Sequence, residues 1–460
     1  MSTASTTASR TERLLHGPIV STLLRLAAPG VVLVAFQSAV SITDSYFVGQ
    51  LGTIPLAGIA LVFPLVMLLQ MTSAGAMGGG VSSAIARALG AGDLATARRL
   101  VVHALVIGLG MGALFTLLLL VLGPSIYQLL GGQNEDTLAQ ALAYSNMLFA
   151  GSILVWLANT LASILRGSGN MSVPAFTLAA ASVVHIPLCG LLVQGAAGVP
   201  AMGIRGAGVA YVCAAAFSTL VMMLYLIRPS SRLRPMRTDW RLDRSMFREI
   251  LRVGAVSSLS SLQTVLTSVI LTGIVGSYGI AALAGYGVGV RLELLQVPLV
   301  FAIGQAQVAL IGTNIGAGHI ARAKRVAWIG AAMTACMSLS IGLIVFGWPE
   351  LWVQLFSQDP AVLATGSTYL RLVGPFYPFL ALGVCLYFAS QGSGRVVLPV
   401  LAGTARLIVA VTGGALLVRL NAPLWTIFVV IALGLLVYGS LTVWAVARTD
   451  WTPKPKRPSP

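Results

Sequence analysis

Residues 89–99 read LGAGDLATARR, and residues 315–325 read IGAGHIARAKR. Both stretches carry a G-A-G turn, small residues after it and a closing pair of cations. The offset between them recurs elsewhere. LRGSGNMSVPA (165–175) matches SQGSGRVVLPV (390–400), LAG stands at 56–58 and at 283–285, and Val48-Gly49 matches Val275-Gly276. A repeat spaced by about half of a 460-residue chain marks a tandem duplication.

The repeating unit is membrane-embedded. Hydrophobic types make up 57% of the chain and charged types 9%, against about 25% charged in an ordinary soluble domain. Mean hydropathy is +0.91. So few polar side chains cannot cover a globular surface, and the chain reads as a polytopic membrane protein. Apolar runs long enough to span fall at Ala28–Val48, Leu56–Ala76, Val101–Leu122, Ala143–Leu165, Val173–Val193 and Ala207–Ile227. A second set follows at Leu251–Val275, Ala281–Ile303, Val326–Phe346, Thr368–Ala389, Val396–Val418 and Leu424–Val446. Their continuity argues against an outer-membrane barrel, whose strands alternate over about ten residues.

The expected fold is therefore an all-α membrane protein, with twelve transmembrane helices in two pseudo-symmetric six-helix lobes. The expected boundaries are an N-terminal tail (1–18), an N-lobe (19–228), a basic linker (229–247), a C-lobe (248–448) and a C-terminal tail (449–460). An even number of spans gives both lobes the same orientation, related by an axis along the membrane normal, with a substrate site expected between them.

Net charge is +16, which in a soluble protein would suggest nucleic acid. Here it segregates. The linker holds Arg228, Arg232, Arg234, Arg237, Arg241, Arg244, Arg248 and Arg252. Twelve spans put Arg87, Arg98, Arg99, Arg166, Arg322, Lys324, Arg325, Arg395, Lys454, Lys456 and Arg457 on the same side. Glu135, Asp136, Glu350 and Asp359 fall opposite, with Arg205 and Arg419. The positive-inside rule accounts for this without nucleic acid, and sets both termini in the cytoplasm of a plasma or bacterial inner membrane. Head-group contact by the linker is the minor alternative to a solvated loop. The first span is expected to serve as insertion signal, since no cleavable one is evident. Cys189, Cys213, Cys336 and Cys385 sit in apolar runs without C-x-x-C spacing, and read as small buried residues rather than disulfides or metal ligands.

Two acids stand inside spans, where ionisable groups are costly and functional by default. Asp44 lies late in the first span, with no cation in that span. A carboxyl left unpaired in an apolar site favours its protonated form, or binds a metal cation or cationic substrate; the bland alternative is hydration near the external turn. Pro29, earlier in the same span, reads equally as a hinge or as a helix-start proline. Glu293, in the eighth span, has Arg291 as its nearest cation. Residues at i and i+2 face different ways on a helix, so either the two pair through bending or each meets another span.

His185 in the fifth span belongs to the residue type that titrates near neutral pH, and reads as a coupling group or a packing residue. Arg371 and Arg406 are also intramembrane, Arg371 near enough to an end to snorkel. Gln37, Ser38, Ser41 and Thr43, then Ser257, Ser258, Ser260, Ser261, Gln263, Thr264 and Thr267, line a wet cavity or pack helices closely. GxSxG, HExxH and GxxxxGK[ST] are absent. No enzyme, cofactor or metal is expected, and energy must come from an ion gradient or a partner chain.

These residues resemble the MATE (multidrug and toxic compound extrusion) transporters over nearly the whole chain. The motifs are DSYFVGQLG (44–52) followed by LAG, RALGAGD (87–93), RGSGN (166–170), GTNIGAG (312–318) and QGSG (391–394), with VRLE (290–293) similar to bacterial members. The resemblance implies an antiporter exporting organic cations and amphipathic drugs against H⁺ or Na⁺. It implies a coupling role for Asp44 and places Pro29 at the family's first-span proline. His185 and Cys189 stand where some members have Na⁺-binding Asn and Asp, and Tyr211 where they have Thr. Gln263 stands nearest another branch's seventh-span acid, and the tenth span has no acid. Most Na⁺ ligands are thus missing, and a carboxylate with a nearby imidazole suits proton exchange better than Na⁺ coordination. The expected site residues are Asp44, Glu293, His185, Gln37, Tyr211, Gln263 and Arg291, with Pro29 as hinge. The expected partners are small cationic or amphipathic molecules and membrane lipid, for a monomer. One rival is a flippase for a lipid-linked precursor, its pyrophosphate held by Arg291, Arg371 and Arg406. Another is an intramembrane enzyme, which would need clustered acids for Mg²⁺.

Overall fold

A computed structural model describes residues 11–131, 134–195 and 198–452. Residues 1–10 of the expected N-terminal tail, and Lys454, Lys456 and Arg457, lie outside the described residues. The chain is built of helices long and apolar enough to span: α1 (Ile19–Gly49), α2 (Thr53–Gly90), α3 (Leu94–Leu129), α4 (the pair Glu135–Ala150 and Ser152–Gly167), α5 (Ser172–Gln194) and α6 (Ile204–Ile227). The second set is α7 (Arg244–Gly276), α8 (Ile280–Gly316), α9 (Ile320–Gly347), α10 (Pro360–Ser393), α11 (Val397–Arg419) and α12 (Leu424–Arg448). Every expected span lies within its helix, save that Val396 stands one residue before α11. The two halves of α4 meet at 50°, where Gly151-Ser152 supplies the weak point. Residues Met71–Met77 of α2 form a π-helical segment.

Most of these helices overshoot the spans. α3 has 36 residues, about 54 Å at 1.5 Å per residue, against a hydrocarbon core of about 30 Å. The extra turns carry cations such as Arg98, Arg99, Arg244 and Arg248 to the basic end. Asp93 caps α3, accepting from the Thr96 N–H at 2.9 Å. Asp243 caps α7, accepting from the Ser245 N–H at 2.8 Å.

The repeated G-A-G turns divide two jobs between their glycines. Gly92 and Gly318 have φ of +74° and +79°, the left-handed conformation that ends a helix cheaply only at glycine. Gly90 and Gly316 are close-approach points. A Cβ on Gly90 would strike the Thr313 carbonyl oxygen of the other half, and one on Gly316 would strike that of Arg87.

Each half also embraces the other's first helix. Leu14, Leu23 and Ala27 are buried in one core with Leu310, Ile311 and Leu386. Ile250 at the start of α7 is buried in the core of α2–α6. Asn314 donates to the Leu14 carbonyl at 3.1 Å, and His103 accepts from the Asp243 N–H at 2.8 Å. Arg87 donates to the Gly392 carbonyl at 3.3 Å and pairs with Glu249 at 3.4 Å. Among the described residues, every hydrogen bond between the halves lies from mid-helix towards the basic end.

The linker is more than a solvated loop. It contains a 3₁₀ turn, Arg237–Trp240, and Asp239 and Asp243 pair with Arg98 and Arg99 at 3.4 Å each. Two further expectations change. Cys189 and Cys385 are buried, whereas Cys213 and Cys336 are exposed, facing outward from helices whose surroundings are apolar. Pro29 lies well inside α1, so the helix-start reading falls. It separates Ala27, in the core shared with α8 and α10, from Leu33, which packs on Ala175 and Ala179 of α5.

Two predictions follow from this packing. Gly316→Val should hold the basic ends of α2 and α8 apart, seen as a longer spin-label distance across them; an unchanged distance would discard the close-approach role. The Ser245 hydrogen bonds, helped by Arg99, hold the Asp243 carboxyl below its usual range. A depressed folded pKa gives stability above the ordinary carboxylate pKa that is lost as pH falls through the folded value. Asp243→Ala should therefore lower the unfolding midpoint at neutral pH, and the gap should close in acid; an equal gap at both would rule the cap out.

Candidate functional site in two polar centres

The first centre lies among α1–α6. α1 presents Asp44 and α5 presents His185, whose Nε2 lies 2.7 Å from Asp44 Oδ1, with the side chains 16% and 2% exposed. Asp44 has no cation in its own span and takes its partner from another helix, the imidazole that the resemblance sets nearby. Cys189 follows His185 by one helical turn, so both face the same way. Single ligand atoms of Asp44, His185 and Cys189 lie within 4.8 Å of one another. Such a trio is able to meet a metal ion, but tetrahedral ligands stand roughly 3.3 Å apart, and the Asp44–His185 separation is that of a hydrogen bond.

The Tyr211 ring stands edge-on to His185, centroids 6.3 Å apart, and its hydroxyl accepts from Gln70. Asn159 of α4 donates to Gln70 Oε1 at 3.0 Å and to Ser73 Oγ at 2.8 Å. Ser73 belongs to the π-helical segment. In the same segment the Gly75 carbonyl accepts from Gln391 of α10 at 3.1 Å. Gln391 also donates to Tyr387 Oη at 2.9 Å and Ser257 Oγ at 3.3 Å. The π segment thus carries the polar residues that link the Tyr211 side of this centre to the opposite half.

The second centre is a cavity of about 160 Å³, formed almost wholly by α7, α8, α10, α11 and α12, with Met67 and Met71 of α2 on its wall. Glu293 accepts from the Tyr369 hydroxyl. Arg406 of α11 lies over the Tyr438 ring, 5.8 Å from its centroid. Gln263 donates to Thr404 Oγ1 at 2.7 Å, and its Oε1 is buried without a protein partner. Ser260, Ser261, Thr264 and Thr267 line the α7 wall, whereas Ser257 and Ser258 do not. On α1, Gln37, Ser38 and Ser41 are exposed, and Gln37 joins neither centre.

Arg291 does not pair with Glu293. It is exposed and lies 5.1 Å from the Phe356 ring centroid, on the other side of α8 as their two-residue spacing demands. Arg371 pairs with Glu350 at 2.8 Å in the open. The three arginines expected to gather for a pyrophosphate therefore do not gather, and only Arg406 reaches the cavity. Asp44 and Glu293 remain in separate centres, which leaves no paired acids for Mg²⁺. Gln70, Asn159 and Gln391 were missed in the sequence; an amide in an otherwise apolar run was the available signal.

A family model described as MatE matches residues 29–191 and 257–416. The FAD transporter of Shewanella oneidensis is 27% identical, over 82% of this chain and 82% of its own. Probable multidrug resistance protein NorM of Thermotoga maritima is 27% identical, over 84% of each. The solved outward-facing structure of a multidrug resistance MATE family transporter of the MOP superfamily has the same fold. It aligns at TM-score 0.84 and 22% identity, over 95% of this chain and 97% of that one. A MOP superfamily transporter from Pyrococcus furiosus, reported with a binding pocket of reverse polarity, aligns at TM-score 0.87 with the same identity and coverage.

The amide network carries a stability prediction. Asn159→Leu deprives Gln70 and Ser73 of their donor and should cost about 1–3 kcal/mol, read as a lower unfolding midpoint in detergent. A change within a few tenths of a kcal/mol would show that the network contributes nothing.

Proposed function

The chain belongs to the MatE family of membrane transporters, and from that premise we propose that it is a proton-coupled exporter of amphipathic small molecules, organic cations among them. The observation that carries the coupling ion is the Asp44–His185 pair at 2.7 Å. Hard cations such as Na⁺ want several oxygen ligands; this centre offers one carboxylate beside an imidazole and a thiol. A carboxylate and an imidazole are proton-carrying groups already in contact. One added proton takes the pair from net charge −1 to 0. Deprotonated, it attracts a cation into the cleft; protonated from the far side, it releases it. The lobes, 19–228 and 248–448, then rock about their mutual contacts.

Contacts from mid-helix to the basic end support a state closed on that side. The positive-inside rule supports placing the basic end, both termini and the linker in the cytoplasm of the inner membrane. The state would then be outward-open, with Asp44, late in α1, towards the open side. Pro29, where α1 passes from one half's core to the other's, supports a bend there. Gln391 on the π segment supports a latch that opens when the lobes separate at the basic end.

Proteoliposomes preloaded with a fluorescent organic cation test this reading. A pH step should drive release, and Asp44→Asn should reduce it by about tenfold or more, since a lost charge of this kind is worth over 1.4 kcal/mol. Release driven only by a Na⁺ step would overturn proton coupling.

A further inference from the structure

We propose that the linker, 229–247, is a membrane-surface anchor: its unpaired arginines bind anionic phospholipid headgroups at the basic end, while Met236, Trp240 and Leu242 enter the interface between headgroups and acyl chains. This stands apart from the coupling ion and from the exported molecule.

The depth at which the linker is fastened argues for it. Asp239 pairs with Arg98 and Asp243 with Arg99, and the Asp243 N–H donates to His103. These α3 residues straddle Val101, where the apolar run of that helix begins. Arg98 stands only about 4.5 Å of helix before Val101, and a headgroup layer is about 5–8 Å deep. The linker is therefore held level with headgroups, although α3 itself runs on to Leu94.

Its two sides differ. Leu233 is buried in the core of α2–α6, and Asp239 is buried against Arg98; both hold the inner side. Arg232, Arg234, Arg237, Arg241 and Arg244 are exposed, and among the described residues none of them forms an ion pair. The linker's own acids, Asp239 and Asp243, are already taken by Arg98 and Arg99. Among these cations Met236, Trp240 and Leu242 are 53%, 59% and 58% exposed. In water that exposure wastes apolar area. At an interface it is the expected composition: tryptophan settles at headgroup level, and segments that lie there mix arginine with large apolar side chains.

Charge selects the occupant. Guanidinium forks fit phosphate oxygens with paired hydrogen bonds, and an anionic leaflet attracts basic segments beside a span. Docked in this way, the linker ties the end of α6 and the start of α7 to the leaflet, so lipid composition acts on the junction between the halves.

The test uses the purified full chain in nanodiscs of phosphatidylcholine, with and without phosphatidylglycerol. The exposed Cys213 and Cys336 are changed to Ala, and a nitroxide is placed on Leu242→Cys, leaving Trp240 intact. Collisions with oxygen, which partitions into lipid, are compared with those of a water-soluble nickel chelate. Oxygen should dominate in phosphatidylglycerol discs, and salt should weaken that dominance by screening. Changing Arg234, Arg237 and Arg241 together to Gln should shift the label towards nickel; these side chains hold no partner in the fold, so the change acts on the surface alone. Dominance of nickel in both lipids would overturn the proposal and leave a solvated loop. A label that favours oxygen equally in both lipids and ignores the arginine changes would overturn headgroup binding. Shielding from both reagents would mark the face as covered by a second copy or another protein, and would overturn the lipid assignment too.

Discussion

A polar group inside a lipid bilayer has no water to fall back on, and that constraint organises the whole molecule. Backbone groups are satisfied within helices; hydroxyls such as those of Thr264 and Thr267 turn to carbonyls of their own helix, and larger polar side chains reach across to another. Asp44 finds His185, Glu293 finds Tyr369, and Asn159 finds both Gln70 and Ser73. Each of these contacts joins elements distant in sequence, so satisfying the side chains also fixes which helices stand together. The exceptions stand out by the same reasoning. Among the described residues they include Gln263 Oε1 on the cavity wall, and Trp156 Nε1, Gln296 and Tyr377 Oη away from it.

The π segment of α2 is where the two halves share this accounting. A π turn leaves its backbone carbonyls out of the usual i→i−4 pattern, and Gly75 offers one to Gln391 of the opposite half. Gln70 and Ser73, at and inside the segment's edge, face the network that ends at Tyr211 beside His185. The network beside the Asp44–His185 pair and the contact between the lobes therefore meet on the same few turns of helix. Pro29 does the corresponding job for α1, which belongs to one core before it and to the other after it.

The fold was legible because membrane spans are local. Twenty apolar residues in a row declare themselves without any knowledge of their neighbours, and the G-A-G repeat declared the duplication. Even the two glycine roles were present as letters, although only the structure separates Gly92 and Gly318, which turn the chain, from Gly90 and Gly316, which admit the other half. The site was legible only in part. Asp44 and Glu293 announced themselves by their cost. The resemblance set His185 near Asp44, but Tyr369 had no such pointer, since a hydrogen bond between α8 and α10 leaves no trace in spacing. Arg291 was the nearest cation to Glu293 in sequence, and helical geometry turns it away. Gln37 is polar in the same span as Asp44, and is exposed apart from both centres.

Each half closes its core with turns that belong to the other: Leu14, Leu23 and Ala27 fill one, Ile250 the other. A single six-helix unit would leave that place vacant and its own first turns uncovered. Two separate copies could cover both only by trading arms, as domain-swapped dimers do. The present chain has the geometry of such a dimer with its two copies sewn together by the arginine-rich linker.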